Sequence, residues 1–184
     1  VVLGVVSTGK YFAPAIVARL RKACPEIEVL LQIGNRDAII GALQDGALDL
    51  AIMGRPPREP VLDALSLGDH PHVLIAPPDH PLVGAAEITP DELLRETILM
   101  REQGSGTRIL ATRFLDRIGE GKTYERAEMG TNETIKQAVI AGLGVALISY
   151  HTVVEELRSG RLVTLDLPVV LEQARRLAKG LAAG

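Results

Sequence analysis

The stretch TNETIKQAVIAGLGVALIS, residues 131–149, constrains the fold more than any other part of the sequence. Thr131 or Asn132 can cap a helix by accepting a backbone N–H, and Glu133 follows where the helix dipole favours an anion. Apolar residues then recur at helical spacing up to a pair of glycines, and the run VALI that follows is typical of a buried strand. Since these pieces form one compact αβ unit, we expect an α/β protein built from several such units.

The N-terminal part of the chain repeats the alternation of strand and helix. It predicts strands over 1–6, 26–33 and 48–53 and helices over 14–23 and 36–44. A βαβαβ order implies parallel strands, and ligands bind such sheets beside the carboxyl ends of the strands. The residues at those ends are Ser7, Thr8, Asn35, Gly54 and Arg55, of which Asn35 suits a helix N-cap.

The rest of the chain predicts a second set of elements. Strands are expected over 72–76, 98–100, 124–129, 145–148 and 162–167, with a short extended piece over 65–68. Helices are expected over 90–94, 109–118, 151–157 and from 131 onwards, and the tail 169–184 favours a helix. We therefore expect two lobes with chain crossings near 70–72 and near 168. Lobe I comprises 1–71 and 168–184, and lobe II comprises 72–167.

Composition excludes several classes of function. Of the 184 residues only 3% are aromatic, none is Trp, and the formal net charge is −3. This argues against an aromatic platform for single-stranded nucleic acid and against direct DNA binding by this chain. The single cysteine, Cys24, permits no internal disulfide and indicates a reducing, cytoplasmic location. No apolar run is long enough to span a membrane, and the start at Val1, inside a predicted strand, suggests a piece of a longer protein.

Four predicted strand-to-helix turns place small or capping residues next to a base. Exposed N–H groups, a helix dipole and a nearby cation form a site for a carboxylate or phosphate, although ordinary helix capping produces the same pattern. These turns are Ser7-Thr8-Gly9-Lys10, Asn35-Arg36, Gly104-Ser105-Gly106-Thr107-Arg108 and Thr131-Asn132-Glu133 with Lys136. None has P-loop spacing, so nucleotide hydrolysis is not expected.

Other reactive residues form no recognised constellation. His70, His72, His80 and His151 match no zinc pattern and lack a cysteine or acid cluster, so we predict no metal site and no cofactor. No Ser/His/Asp or Cys/His arrangement is visible in the sequence, and we therefore predict no catalytic residue and no enzyme.

Several of these motifs, in this order and spacing, resemble the effector-binding domain of LysR-type transcriptional regulators. They are the strand with Ser7-Thr8, Gly34-Asn35, the run GALDLAI from Gly46, Asp79-His80-Pro81-Leu82, Gly104-Ser105-Gly106 and the run AGLGVA from Ala141. A narrower resemblance, to the regulators of the Calvin-cycle RuBisCO operon, is carried by VSTGKYF from Val6, GNR from Gly34, AIMGRPP from Ala51, His70-Pro71-His72 and NETIKQA from Asn132.

The resemblance implies a type 2 periplasmic-binding-protein-like fold, with two Rossmann-like lobes and an effector in the cleft between them. It implies an anionic effector, such as a phosphorylated sugar or acid or NADPH. It further implies a homodimer or homotetramer that binds promoter DNA through an N-terminal winged helix-turn-helix outside this chain, and no membrane partner. The tail departs from the family, because 169–184 lacks the expected aromatic-rich strand.

The predicted effector site combines positions carried over from the family with four bases chosen for charge complementarity to a phosphate. The carried-over residues are Ser7, Thr8, Asn35, Met53, Gly54, Arg55, Gly106, Thr107, Thr131, Asn132 and Glu133. The bases are Lys10, Arg36, Arg55 and Arg108. A transport solute-binding protein of the same fold is the main alternative, and an enzyme is the second.

Overall fold

A computed structural model describes residues 1–167, so the predictions for 169–184 and for the second chain crossing lie outside the described residues. The described elements, in chain order, are β1 (Val2–Val6), α1 (Ala13–Ala23), β2 (Leu30–Gly34), α2 (Arg36–Gln44), β3 (Leu50–Ile52), β4 (His72–Ala76), α3 (Pro90–Leu94), β5 (Ile98–Arg101), α4 (Gly106–Gly119), β6 (Arg126–Met129), α5 (Asn132–Ile140), β7 (Ala146–Ser149), α6 (Val154–Arg158) and β8 (Val163–Leu165). Short 3₁₀ helices occur at Gly9–Tyr11 and Tyr150–Thr152.

Residues 1–52 form what we call the N-terminal unit, a parallel three-stranded sheet in the order β2-β1-β3. The predicted βαβαβ arrangement is confirmed. Its described core is small: Leu3, Val5 and Ala13 form one buried cluster, and Ile39 and Leu48 are buried as well.

Residues 72–167 form the second unit. An antiparallel sheet in the order β7-β4-β8 is joined to the parallel pair β5-β6 by an isolated bridge between Ile98 and Val145. Phe114 of α4 and Leu93 of α3 belong to one buried cluster, whereas Ile135 of α5 belongs to another. The two clusters give the second unit a larger apolar core than the N-terminal unit has.

Several predicted strands are too long, because a strand extends only as far as its partner does. The strand predicted over 26–33 is β2, which pairs with β1 only from Leu30, opposite Val2, to Gly34, opposite Val6. Those predicted over 48–53, 124–129 and 162–167 are shorter for the same reason, as β3, β6 and β8. The extended piece predicted over 65–68 forms no strand and is exposed.

Helix ends follow the capping chemistry where the sequence offers a cap. The predicted bounds of α2 and α3 are confirmed, with Asn35 Oδ1 accepting from Ala38 N at 2.9 Å and Thr89 forming a capping box with Glu92. The helix predicted over 109–118 begins earlier, at Gly106. The helix predicted over 151–157 is interrupted, because Val153 lies between a 3₁₀ turn and α6 with φ of −122°.

Candidate anion-binding site

A cavity of about 430 Å³ lies between the N-terminal unit and the second unit. The lining residues from the N-terminal unit and from the linking segment (residues 53–71) are Val6, Ser7, Thr8, Asn35, Arg36, Gly54, Arg55, Pro56, Pro57, Arg58 and His70. The second unit contributes His72, Arg101, Ser105, Gly106, Thr107, Ile109, Leu110 and Arg113. A volume of this size suits a small metabolite.

The charged side chains that line the cavity are basic. Arginines contribute from both units, and no Asp or Glu lines the cavity among the described residues. Arg36 donates from Nη1 to the carbonyl of Arg55 at 2.5 Å. Within residues 1–167, Arg36, Arg55, Arg58 and Arg113 take part in no ion pair with a carboxylate. The cavity therefore holds positive charge that the described protein does not neutralise.

Arg101 is the most enclosed of these arginines, with 3% of its surface exposed. Its guanidinium donates to both carboxylate oxygens of Glu102, at 2.7 and 2.8 Å, and to Asn132 Oδ1. Its Nη2 also lies 3.4 Å from Ser7 Oγ of the N-terminal unit. Burial alone would raise the pKa of Glu102, but the hydrogen bond and charge of Arg101, a backbone hydrogen bond and the contact with Asn35 together outweigh it and lower that pKa below its usual value.

The start of α2 meets the loop before α4 at the edge of the cavity. Asp37 N donates to the carbonyl of Gly104 at 3.1 Å, and Asn35 Nδ2 lies 3.3 Å from Glu102 Oε1. Gly104 has φ of +85°, and a Cβ there would lie 2.9 Å from a carboxylate oxygen of Asp37. The backbone conformation therefore favours glycine, and any larger residue would also displace the carboxylate of Asp37.

The predicted site residues divide into two groups by position. Eight line the cavity: Ser7, Thr8, Asn35, Arg36, Gly54, Arg55, Gly106 and Thr107. Six do not: Lys10, Met53, Arg108, Thr131, Asn132 and Glu133. Three of the four predicted helix N-termini thus meet at one cavity, whereas α5 contributes no lining residue among those described and contacts the lining residue Arg101 through Asn132. The ligand-binding role of these residues stays a prediction.

Each charged residue of the second group has a protein partner instead. Glu133 accepts from Lys10 Nζ at 2.7 Å and from the Tyr11 hydroxyl, which joins the two units at a second place. Burial favours a higher pKa for Glu133, but hydrogen bonds from Lys10 and Tyr11 outweigh it and lower the pKa to about 2. Arg108 lies within α4 rather than in a turn before it, and it contacts Glu128 and the carbonyl of Arg101.

Thr131 and Lys136 have structural roles. Thr131 Oγ1 accepts from Thr134 N at 3.0 Å and caps α5. Lys136, the base expected beside this turn, is buried and lies 3.0 Å from Glu156 Oε1.

Sequence reasoning missed several residues of the cavity, among them Arg58, Arg101, Arg113, Ile109 and Leu110. Positions 106, 109, 110 and 113 share one helical face, so the signal becomes visible only once α4 is known to begin at Gly106. Arg101 is the last residue of β5 and therefore also lies at the carboxyl end of a strand, where ligands bind, but the predicted strand stopped one residue short of it.

His70 and His72 also line the cavity, in a cluster with His151. The rings of His70 and His72 are 4.7 Å apart, and His70 stacks on His151 at 5.9 Å. Burial, together with the neighbouring imidazoles His70 and His151, lowers the pKa of His72 to about 4. Across residues 1–167 no group of three or more His, Cys, Asp or Glu side chains is arranged to hold a metal ion.

Two α/β units with a ligand-sized cavity between them define a binding domain with the type 2 periplasmic-binding-protein-like fold. The chain belongs to the LysR substrate-binding domain family, whose model, "LysR substrate binding domain", matches residues 1–178. No helix within the described range 1–167 has both the length and the apolar character needed to cross a bilayer.

Individual relatives show which regulators within this family the chain is similar to. Over 168 residues the chain is 56% identical to the "HTH-type transcriptional regulator CbbR" of Cereibacter sphaeroides, covering 91% of this chain and 54% of that protein. It is 42% identical to the "RuBisCO operon transcriptional regulator" of Allochromatium vinosum, covering 90% and 54%. The chain thus spans about half the length of these relatives, which are named as transcriptional regulators and not as enzymes.

Solved structures confirm the predicted fold class. The CcmR regulatory domain of Synechocystis PCC6803 in complex with 2-PG is similar with a TM-score of 0.83 at 39% identity, over 91% of this chain and 80% of that chain. The reduced OxyR regulatory domain of a pseudomonad shares the fold with a TM-score of 0.72 at 23% identity, over 91% and 81%.

Proposed function

We propose that this chain is the effector-sensing domain of a LysR-type transcriptional regulator of carbon-fixation genes, and that its effector is a small phosphorylated metabolite. The observation that carries the proposal is the cavity itself. It is lined by five arginines from both units and by no described carboxylate, so a bound anion would supply the missing negative charge.

The chemistry of the lining favours phosphate over an apolar ligand. Guanidinium groups form bidentate hydrogen bonds with phosphate oxygens. Ser105, Gly106 and Thr107 place the start of α4 at the cavity, and the N-terminus of a 14-residue helix favours an anion. Ile109 and Leu110 add an apolar strip that suits the carbon skeleton of a metabolite.

Relatives support the choice of ligand class. The Synechocystis CcmR domain was solved in complex with 2-PG. The resemblance to RuBisCO-operon regulators adds ribulose bisphosphate, phosphoenolpyruvate and NADPH as candidates. We infer that one member of this group of phosphorylated compounds is the physiological effector.

The proposed signal is a change in how the two lobes are held together. We propose that lobe I comprises residues 1–71 and 168–184, that lobe II comprises residues 72–167, and that the effector bridges Ser7 and Asn35 on one side to α4 on the other. A ligand shifts such an equilibrium only by its different affinity for the two arrangements. Binding with micromolar affinity supplies about 8 kcal/mol, and a coupling of about 1–3 kcal/mol is enough for regulation.

DNA binding is assigned to a part of the protein outside this chain. The relatives are about twice as long and are named HTH-type regulators, and this chain carries a net charge of −3. We propose a homodimer or homotetramer on promoter DNA, in the cytoplasm. A gel-shift titration of the complete gene product on its own promoter, with and without effector, tests this part.

Isothermal titration calorimetry tests the effector proposal. The chain is titrated with 2-PG, ribulose bisphosphate, phosphoenolpyruvate and NADPH, and with glycolate as a control without phosphate. We expect at least one phosphorylated ligand to bind and glycolate not to bind. We expect Arg113→Gln to weaken that binding about tenfold, as the loss of one charge-assisted hydrogen bond does.

Arg158→Gln is the matched control, because Arg158 is an exposed arginine on α6 that pairs with Glu155 outside the cavity. Arg158→Gln should bind the phosphorylated ligand with the same affinity as the wild type. Absence of binding by all four phosphorylated ligands, or an equal loss in both variants, would contradict the proposed site.

A further inference from the structure

We propose, building on the proposed function, that effector binding is coupled to the uptake of one proton by the imidazole pair His70 and His72 in the cavity wall. Both residues belong to the stretch that enters the second unit from the linking segment, and both line the cavity. The pair would make the sensor respond to pH as well as to the metabolite.

One ring nitrogen of His72 has no hydrogen-bond partner among the described residues. His72 Nδ1 lies 3.2 Å from the carbonyl of His70, so a neutral ring must carry its proton on Nδ1. Its other nitrogen, Nε2, is then a bare acceptor, and it is buried without a hydrogen-bond partner among the described residues. A buried polar atom without a partner costs free energy, so the neutral ring of His72 is incompletely satisfied in the unliganded protein.

The described groups around His72 do not include a carboxylate. His70 and His151 are the charged or titratable groups that act on it, the former with its ring 4.7 Å away. His70 Nε2 lies 2.9 Å from Ser149 Oγ of β7, and His151 Nε2 lies 3.2 Å from the carbonyl of Asp69. None of these neighbours is an anion, and the hydrogen bond to the carbonyl of His70, which favours the charged form, does not outweigh burial and the two imidazoles.

A phosphorylated ligand changes that balance. A phosphate group carries between one and two negative charges near neutral pH and offers only acceptors. Its negative charge, held in the cavity that His70 and His72 line, offsets the repulsion between the imidazoles and favours a protonated His72. A proton and the anion therefore bind together.

The direction of the pH dependence follows. The pKa of His72, about 4 without ligand, is higher in the complex, so the complex binds more protons than its parts do. Affinity for a given ionic form of the ligand should therefore fall as pH rises through the pKa of the complex, by up to about tenfold per pH unit for one proton.

Calorimetry in paired buffers counts the protons directly. The chain is titrated at the same pH in two buffers with different ionisation enthalpies, using whichever of the four phosphorylated ligands binds, and the difference in heat gives the protons taken up. The phosphate itself titrates near pH 6. The comparison of wild type with His72→Gln removes this contribution, because the ligand is the same in both.

We expect proton uptake in the wild type that is lost in His72→Gln and reduced in His70→Gln. His80→Gln is the matched control, since His80 lies outside the cavity and 3.3 Å from Glu96, and it should retain wild-type uptake. Equal proton exchange on binding in the wild type and in His72→Gln overturns this inference alone. Absence of binding heat for every ligand overturns the proposed function and the inference with it.

Discussion

Arg101 Nη2 lies 3.4 Å from Ser7 Oγ, so the last residue of β5 touches the residue that follows β1 across the gap between the two units. The same guanidinium donates to Glu102 and to Asn132 at the start of α5. One buried side chain thus connects the ends of two strands and a helix N-terminus. Because it also lines the cavity, its interactions connect the cavity wall to both units.

Replacing Arg101 with methionine should lower the free energy of unfolding by about 2 kcal/mol, because Glu102 and Asn132 lose a charge-assisted partner in a mostly buried place. Urea unfolding measures this change. Arg158→Met is the control, since the Arg158 side chain is 73% exposed and its pair with Glu155 should contribute less than about 1 kcal/mol. Equal effects of the two substitutions would contradict the bridging role of Arg101.

The parts of the fold that sequence reasoning predicted are those that local chemistry determines. Asn35 and Thr89 cap their helices with their own side chains, so the starts of α2 and α3 could be placed to the residue. Strand ends were less accurate because they depend on a partner elsewhere in the chain, as the pairing of β2 with β1 illustrates. Local signals do not contain that information.

Glycines and site residues likewise divide into those that local sequence predicts and those that depend on partners elsewhere in the chain. Gly142 has φ of +78°, as the predicted helix end requires, whereas Gly144 is needed because a Cβ would lie 2.1 Å from the carbonyl oxygen of Thr97. The cavity positions of Ser7 and Asn35 follow from strand order, but the partners of Lys10 and Glu133 do not. A charge next to a helix N-terminus binds whichever opposite charge the tertiary fold places nearest to it.

Two substitutions at Asn35 should separate its structural role from its proposed ligand contact. Asn35→Ala removes the cap on α2 and should lower the free energy of unfolding by about 1 kcal/mol. Asn35→Asp retains the capping oxygen, but it adds a carboxylate in the arginine-lined cavity beside Glu102. We expect Asn35→Asp to keep α2 capped but to lose some stability through repulsion from Glu102, and to bind the effector more weakly, as measured by urea unfolding and calorimetry. Unchanged affinity in Asn35→Asp would count against a ligand contact here.

The Lys136–Glu156 pair should behave as a buried ion pair rather than as part of a binding site. Each residue is 7% exposed, and Lys136 Nζ also donates to the carbonyl of Thr152 at 3.0 Å. Among residues 1–167, Lys136→Met leaves Glu156 with only the more distant Arg161 as a cationic partner, at 3.6 Å, and it should lower the free energy of unfolding by about 3 kcal/mol.

The double variant Lys136→Met/Glu156→Leu removes both charges and should be more stable than Lys136→Met alone. Thermal or urea unfolding of the three proteins measures the coupling. A double variant that is less stable than either single variant would show that the two charges do not depend on each other.

The contact of Glu133 with Lys10 and Tyr11 should make stability depend on pH in a defined window. The pKa of Glu133 is about 2 in the folded protein and about 4.5 in the unfolded chain, so its contribution is complete above about pH 4.5 and is lost between about pH 4.5 and about pH 2. Because the carboxylate is 45% exposed, solvent screening limits that contribution to less than about 1 kcal/mol.

Glu133→Gln should therefore be slightly less stable than the wild type at neutral pH, and the difference should shrink on acidification through that window. Tyr11→Phe removes one donor to the carboxylate and should raise the Glu133 pKa, which a carbon-detected NMR titration reads at this residue. The ordinary carboxylate pKa in the wild type, or no response to Tyr11→Phe, would mean that the contact between the units at Glu133 does not persist in solution.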